Sequence, residues 1–311
     1  MIEIIRYSNK FFSQWNDFVQ KSKNATFLLN RNYMDYHSDR FKDLSLIFKK
    51  QNKIIALLPA SLNNNIVHSH GGLTYGGILV SKKISTALML QVFSKLLLYL
   101  KDINVKKIVY KSIPHIYHKI PAEEENYCLF INNFSLLKRE ISSTINIRTT
   151  NLRPQKLNGY RKAIKLGLKL IETSSCNSII NIINQTLKKK YNTNAVHSAD
   201  EMNTLKKKFN EEIKFFNLII DNKIEGGAIL FIANNVVHAQ YISSSAKAKK
   251  KRALDFIICF ICEHYKNKLE WFDFGISTEN NGKNLNFNLI KSKEEFGLSA
   301  ICYDTYELNI T

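Results

Sequence analysis

Residues 44–61 and 215–232 share one pattern, and that repeat constrains the chain more than any other feature. They read LSLIFKKQNKIIALLPAS and FFNLIIDNKIEGGAILFI, and both carry Asn-Lys-Ile at the turn, from Asn52 to Ile54 and from Asn222 to Ile224. Two β-rich runs around a short polar turn predict a β-hairpin. A repeated hairpin implies two similar folding units. The parallel extends in both directions. Downstream, each hairpin leads to a further strand (65–80 and 236–244), an amphipathic helix (84–100 and 252–265) and a short β run (105–110 and 269–274). Leu88, Val92, Leu96 and Tyr99 share one helical face, as do Leu254, Ile257, Ile258 and Ile261. Upstream lie helical segments at 11–21, 32–37, 178–190 and 199–208. Closing strands are expected near 130–147 and 298–308. Arg148 to Pro154 breaks the pattern, which places the boundary between domains 1–150 and 151–311.

Length and composition agree with two domains. The chain has 311 residues, 45% hydrophobic and 11% aromatic, enough to build real cores and to exclude global disorder. No stretch reaches the ~20 apolar residues of a transmembrane helix. The start, Met1 to Arg6, carries an acid and lacks a basic region before an apolar core, so it does not predict a signal peptide. A cytoplasmic protein without membrane insertion is expected. The five cysteines are Cys128, Cys176, Cys259, Cys262 and Cys302, and all sit among apolar residues. Cys259 and Cys262 have CxxC spacing with no second pair, so core thiols are expected and no metal site. The formal net charge of +19 asks for an anionic partner. It is scattered along the chain, and no RNP-like or helix-turn-helix pattern supports a specific nucleic-acid partner.

The order strand, helices, hairpin, strand, helix, strand resembles the GNAT acyltransferase domain. Two such domains in one chain resemble the tandem-GNAT group that includes the Fem-type aminoacyltransferases and sugar N-acyltransferases. The residues carrying the likeness are Gly226-Gly227-Ala228, Ala239-Gln240-Tyr241, Lys250 to Ala253, Asp273-Phe274-Gly275 and Lys293 to Gly297. Gly71 to Gly77 adds to it in the first half. Within that group the likeness points to N-acyltransferases acting on nucleotide-linked 3-amino-3,6-dideoxyhexoses. The resemblance implies an α/β (α+β mixed-sheet) fold of two tandem GNAT-like domains, with acyl-CoA as co-substrate and a nucleotide-linked aminosugar as acceptor. The chain departs from the group in its phosphate loop: the usual Gln/Arg-x-x-Gly-x-Gly/Ala is replaced by Ala246 to Ala253, which reads AKAKKKRA.

That departure concentrates the chemistry. Lys249, Lys250, Lys251 and Arg252 precede an apolar helix that begins near Ala253. Cations there oppose the helix dipole by ~0.3–1 kcal/mol each, and a broken local rule points to a site. Four bases with free backbone N–H groups suit a pyrophosphate or 3′-phosphate. The alternative is a solvated lysine loop. Residues 236–244 alternate as a strand, and the resemblance implies that backbone N–H groups near Tyr241, Ile242, Ser243 and Ser244 meet a thioester carbonyl. His238 reads as an ordinary strand residue. Asp273, a single acid in an aromatic strand, either pairs structurally or lines the site. Glu279, Asn280 and Asn281 form a polar loop that suits sugar hydroxyls or a plain turn. The resemblance places Lys293 and Glu294 near the acceptor, though they also suit a surface pair.

In the first half, His70, Gly72 and Tyr75 belong to a segment with four glycines in seven residues, which lets backbone approach a ligand or another strand. The segment is expected on the acceptor side. Together the residues predict direct transfer. A neutral amine attacks the thioester, strand N–H groups hold the oxyanion, and Asp273, Glu279 or Glu294 takes the proton. Coenzyme A is expected on the second domain alone, the first being acceptor-side and structural. Two alternatives stay open: a Fem-like aminoacyltransferase using charged tRNA, and a noncatalytic nucleic-acid-binding protein.

Overall fold

The structure, a computed structural model, describes residues 1–310 apart from the side chains of His37, Lys190 and Tyr191. The ends of two expected helices, at 37 and 190, reach these side chains, and Thr311 lies outside the described residues. The chain packs as two compact units. The first holds residues 1–141, 278–284 and 302–311, and the second holds 142–277 and 285–301. A single cut near residue 150 therefore does not describe the packing, because two later segments return to the first unit.

The first part of the chain runs β1 (Ile2–Arg6), α1 (Phe12–Lys21), α2 (Arg31–Met34), β2 (Leu46–Lys50), β3 (Lys53–Leu58), β4 (Ser61–Asn63), β5 (Ile66–His68), β6 (Leu79–Val80), α3 (Thr86–Asp102), β7 (Lys107–Lys111), α4 (Glu124–Ile131) and β8 (Ser135–Asn146). Strand β2 pairs antiparallel with β1 and β3, and β3 also pairs with β6. A second group pairs β4 antiparallel with β5, and β5 parallel with β7. The core fills between the hairpin residues Leu46, Phe48, Ala56 and Leu58 and the α3 face of Val92, Phe93, Leu96 and Leu100. The expected strand over 65–80 is two short strands joined by an irregular loop.

The remainder runs α5 (Pro154–Lys165), β9 (Lys169–Thr173), α6 (Asn177–Tyr191), α7 (Ala199–Lys208), β10 (Ile213–Ile220), β11 (Lys223–Ala233), β12 (Val236–Ser244), α8 (Ala246–Lys250), α9 (Ala253–Tyr265), β13 (Trp271–Ile276), β14 (Thr278–Glu279), β15 (Asn284–Leu285), α10 (Phe287–Glu294) and β16 (Ser299–Asn309). In the second unit the strand order is β8, β13, β12, β11, β10, β9. All pairs are antiparallel except β12 with β13. Helix α7 has the expected span and begins with a capping box between Ser198 and Glu201. The α9 face of Ala253, Ile257, Ile258 and Ile261 is buried against the sheet with Phe272 and Phe296.

The two hairpin turns are alike in backbone as well as in sequence. Gln51 and Asn52 have φ of 50° and 58°, and Asp221 and Asn222 have φ of 50° and 57°. Two central residues at positive φ make the turn that matches strand twist, and Asn tolerates that region better than most residues. Each unit then places one parallel strand pair at the same point. Ile66, Val67 and His68 pair with Lys107, Ile108 and Val109, while Val236, Val237 and His238 pair with Trp271, Phe272 and Asp273. The chain thus has an α/β fold of two units, each built on a mixed set of strands with helices packed on them.

Candidate functional site

Parallel pairing of β12 with β13 stops after His238 and Asp273. From Ala239 onward β12 stays paired only with β11, and the register shifts so that Gln240 is an extra residue. Such a bulge bends the strand and re-aims the residues beyond it. Gly226 on β11 makes the close approach possible, since a Cβ there would lie 2.5 Å from the Ser243 carbonyl oxygen. An antiparallel strand turns alternate backbone groups toward its partner and the rest away. Residues 239–244 therefore present a row of backbone groups to the gap that opens between the strands.

That gap is a cavity of ≈ 530 Å³. One wall is Ala239 to Ser244, and Thr186 of α6 stands beside Ser243. Leu254 and Ile258 of α9, Phe274 of β13, and Leu289 of α10 make it apolar. Lys249 and Lys293 are its lining cations. Leu254, expected in the buried helical face, is instead 41% exposed because it faces this opening.

Lys293 is fixed by three acceptors. Its Nζ donates to the carbonyl oxygens of Gly275 (2.6 Å) and Ile276 (2.8 Å) and to Ser277 Oγ (2.9 Å). Gly275 has φ of +78°, which turns the strand end so that its carbonyl meets the lysine. Burial lowers the Lys293 pKa to about 8, partly offset by the charge of Asp273. Tyr241 also lines the cavity. Its hydroxyl lies 3.0 Å from His197 Nδ1, and burial raises its pKa.

Asp273 has no solvent exposure and takes the pairing role of the two foreseen. It accepts from Ser142 Oγ (2.5 Å), the Gly275 N–H (2.9 Å) and His238 Nδ1 (3.2 Å). Because a carboxylate only accepts, the imidazole must donate through Nδ1. Asp273 is absent from the cavity lining, so its carboxylate orients neighbours rather than meeting a ligand. His238, read from sequence as an ordinary strand residue, is the neighbour held. The signal for it was the matched triplets Ile66-Val67-His68 and Val236-Val237-His238.

The basic segment does not converge as a cradle. Only Lys249 lines the cavity. Lys250 is exposed, and Lys251 reaches Asp221 at 3.4 Å, as Lys247 does at 2.9 Å. Arg252 adopts the left-handed region and pairs with Asp255 at 2.6 Å. Asp255, buried in the first turn of α9, also binds Lys156 at 3.2 Å. An acid at this helix start complements the dipole, so the preference that the four cations violate is met one turn later. Ala253 is buried in the core.

Glu279, Asn280 and Asn281 belong to segment 278–284 of the first unit, and Asn280 and Asn281 form a turn at positive φ. Neither they nor Glu294 line the cavity. Tyr75 is a core residue at 2% exposure: its hydroxyl donates to Thr26 and its ring packs against Tyr117. His70 is buried against Phe41, while Gly72 is exposed. Cys259 and Cys262 are core thiols, and burial pushes Cys259 up to about 12. Cys302 is exposed, contrary to the expectation for all five. Among the described residues, no helix is long and apolar enough to cross a membrane.

In the first unit the corresponding gap is filled. After His68, the loop 69–78 lies along β7: Ser69 N–H donates to Val109 O, and Lys111 N–H to Ser69 Oγ. Gly76 N–H donates to Lys111 O and Ile78 N–H to Tyr110 Oη. A Cβ on Gly76 would sit 1.9 Å from the Ser69 carbonyl, which explains a glycine there.

No protein-family model and no curated protein matches the sequence. Solved structures do match in fold. FemX aligns over 99% of this chain and 97% of its own, with a TM-score of 0.70 at 9% identity. L-PGS from Bacillus licheniformis aligns over 97% of this chain and 92% of its own, with a TM-score of 0.63 at 11% identity. A protein of unknown function from Bacteroides thetaiotaomicron aligns over the full length of both chains, with a TM-score of 0.58 at 9% identity.

Proposed function

We propose that the chain is an acyltransferase whose second unit takes an acyl thioester into the gap between β12 and β13. One observation carries this reading: a parallel strand pair parts after three residues and leaves an unpaired backbone edge, Ala239 to Ser244, along a cavity with two lining lysines. An extended pantetheine arm can pair with such an edge as an added strand would. Apolar Leu254, Ile258, Phe274 and Leu289 suit its carbon chain and the acyl group. In this reading Lys249, a lining cation, takes a phosphate of coenzyme A.

The reaction is direct. An amine nitrogen attacks the thioester carbonyl carbon, the carbonyl electrons move onto oxygen, and the carbon–sulfur bond then breaks to release the thiolate. Strand N–H groups hold the oxyanion, and Lys293, whose three N–H groups are already engaged, adds the field of its charge. The amine's proton passes through water to the departing thiolate, because His238, held by Asp273, stands outside the cavity lining. The acceptor in this reading is a nucleotide-linked aminosugar. The experiment is turnover of acetyl-coenzyme A with a panel of thymidine-diphospho-aminosugars, followed by thiol release. Acylation of one or more panel members supports the reading, and thiol release with none of them removes the aminosugar acceptor.

A second reading has its own support. The fold likeness to FemX spans 99% of the chain, and the net charge of +19 suits an RNA-borne donor. In that case the same gap receives an aminoacyl ester at the 3′ end of a charged tRNA. Salt-sensitive binding of charged tRNA with no affinity for coenzyme A selects this reading.

A further inference from the structure

The first unit holds a cavity of its own, ≈ 750 Å³, that the proposed reaction does not use. It lies along the β4–β5 hairpin and is closed by loop residues 40–42 and by Lys111 at the end of β7. Its lining cations are Arg40, Lys42 and Lys111, and no aspartate or glutamate lines it. The carboxylates beside it are Asp39, 4.0 Å from Arg40 with both side chains exposed, and Glu140, whose charge acts on Lys111. Asn63, Asn64 and Asn65 supply side-chain amides, and Phe41 supplies a flat aromatic face.

Lys111 is the fixed charge. Its Nζ donates to the carbonyl oxygens of Leu73 (2.7 Å), His70 (3.3 Å) and Gly71 (3.4 Å), which pins the ammonium at one wall. Burial has lowered its pKa to about 8, so an anion nearby would restore the charge that burial disfavours. Arg40 and Lys42 are exposed and long enough to close on a ligand. Three cations without a lining acid focus a positive potential, and a guanidinium binds phosphate through two N–H groups at once. The volume falls in the ~300–1,000 Å³ range of small-molecule sites.

We infer that this cavity holds the diphosphate of a nucleotide, with Arg40, Lys42 and Lys111 on the phosphates and Phe41 against the base or sugar. The site is defined within the first unit alone and stands independently of the acceptor proposed above.

The test is calorimetric titration of the full chain with thymidine diphosphate and, separately, with acetyl-coenzyme A. Wild type is compared with the Arg40→Ala/Lys42→Ala double variant and with Lys249→Ala. Both substituted loop side chains are exposed, so the fold survives their loss. Each lost charge-assisted phosphate contact costs roughly tenfold or more. Thymidine diphosphate is expected to bind at least tenfold more weakly to the double variant and equally well to Lys249→Ala. Unchanged nucleotide affinity in the double variant overturns the inference, as does no nucleotide binding to wild type at millimolar concentration. If acetyl-coenzyme A still binds in either case, the donor site stands. If wild type binds nucleotide but not coenzyme A, the nucleotide site stands and the donor reading fails.

Discussion

Lys293 shows how one side chain combines position with a tuned charge. Two backbone carbonyls and Ser277 Oγ take its three protons, and burial brings its pKa to about 8. If its ammonium stabilises the oxyanion, kcat falls as pH rises through about 8, where the charge is lost. Lys293→Met is expected to lower kcat by about 10²–10³, the usual cost of one oxyanion-stabilising group. Lys293→Arg, which stays charged, should remove the loss near pH 8 in a pH–rate profile while keeping part of the rate. In the first unit, Glu125 makes a different use of burial. Its carboxyl accepts from Tyr110 Oη and is pushed up to about 8, chiefly by desolvation. Unfolded, it ionises near 4.5. Between those values the folded state keeps a proton that the unfolded state has released. The stability this contributes is complete below pH 4.5 and is lost as pH rises through about 8. Denaturant melts across that window should show the fall, and Glu125→Gln should flatten it. A wild-type stability that rises across the window contradicts this account of Glu125.

At the scale of elements, strand pairs decide which unit opens. In the second unit β12 continues six residues past its last β13 partner, whereas in the first the chain leaves β5 at His68 and folds back along β7. Gly226→Ala should press a Cβ against the Ser243 carbonyl and distort the cavity edge, costing about 1–3 kcal/mol in denaturant melts and weakening donor binding together. Gly76→Ala should cost a similar amount against Ser69 but leave donor affinity unchanged, because it strains the filled gap. Equal effects of the two variants on donor affinity would contradict that division. Much of this level was legible in sequence. The hairpins, α7, β12 and the helices after each hairpin follow from period and turn chemistry, which are local. The filled gap was not legible, because 65–80 reads as strand-like and only its hydrogen bonds to β7 reveal a loop. The convergence of bases failed for a related reason. Adjacent positions 249–252 straddle a turn, so Lys249 faces the cavity while Lys251 reaches Asp221 and Arg252 pairs with Asp255. His238 was hidden because its meaning depends on Asp273, 35 residues away. Tyr75 looked available from its glycine-rich neighbours, yet Thr26 and Tyr117 bury it.

Over the whole molecule, the two similarly built units carry different cavities. The first unit has a basic cavity lined by Arg40, Lys42 and Lys111, and the second an apolar one flanked by Lys249 and Lys293. With a net charge of +19, association of any phosphorylated ligand with either cavity should slow as salt rises. The central claim is that the parted strands of the second unit, and those alone, receive the acyl carrier. Calorimetric titration with acetyl-coenzyme A tests it most directly, on wild type and on Lys249→Glu. The account predicts about one molecule bound per chain and at least tenfold weaker binding after the charge reversal. No binding to wild type, two molecules per chain, or an affinity indifferent to Lys249→Glu would contradict it.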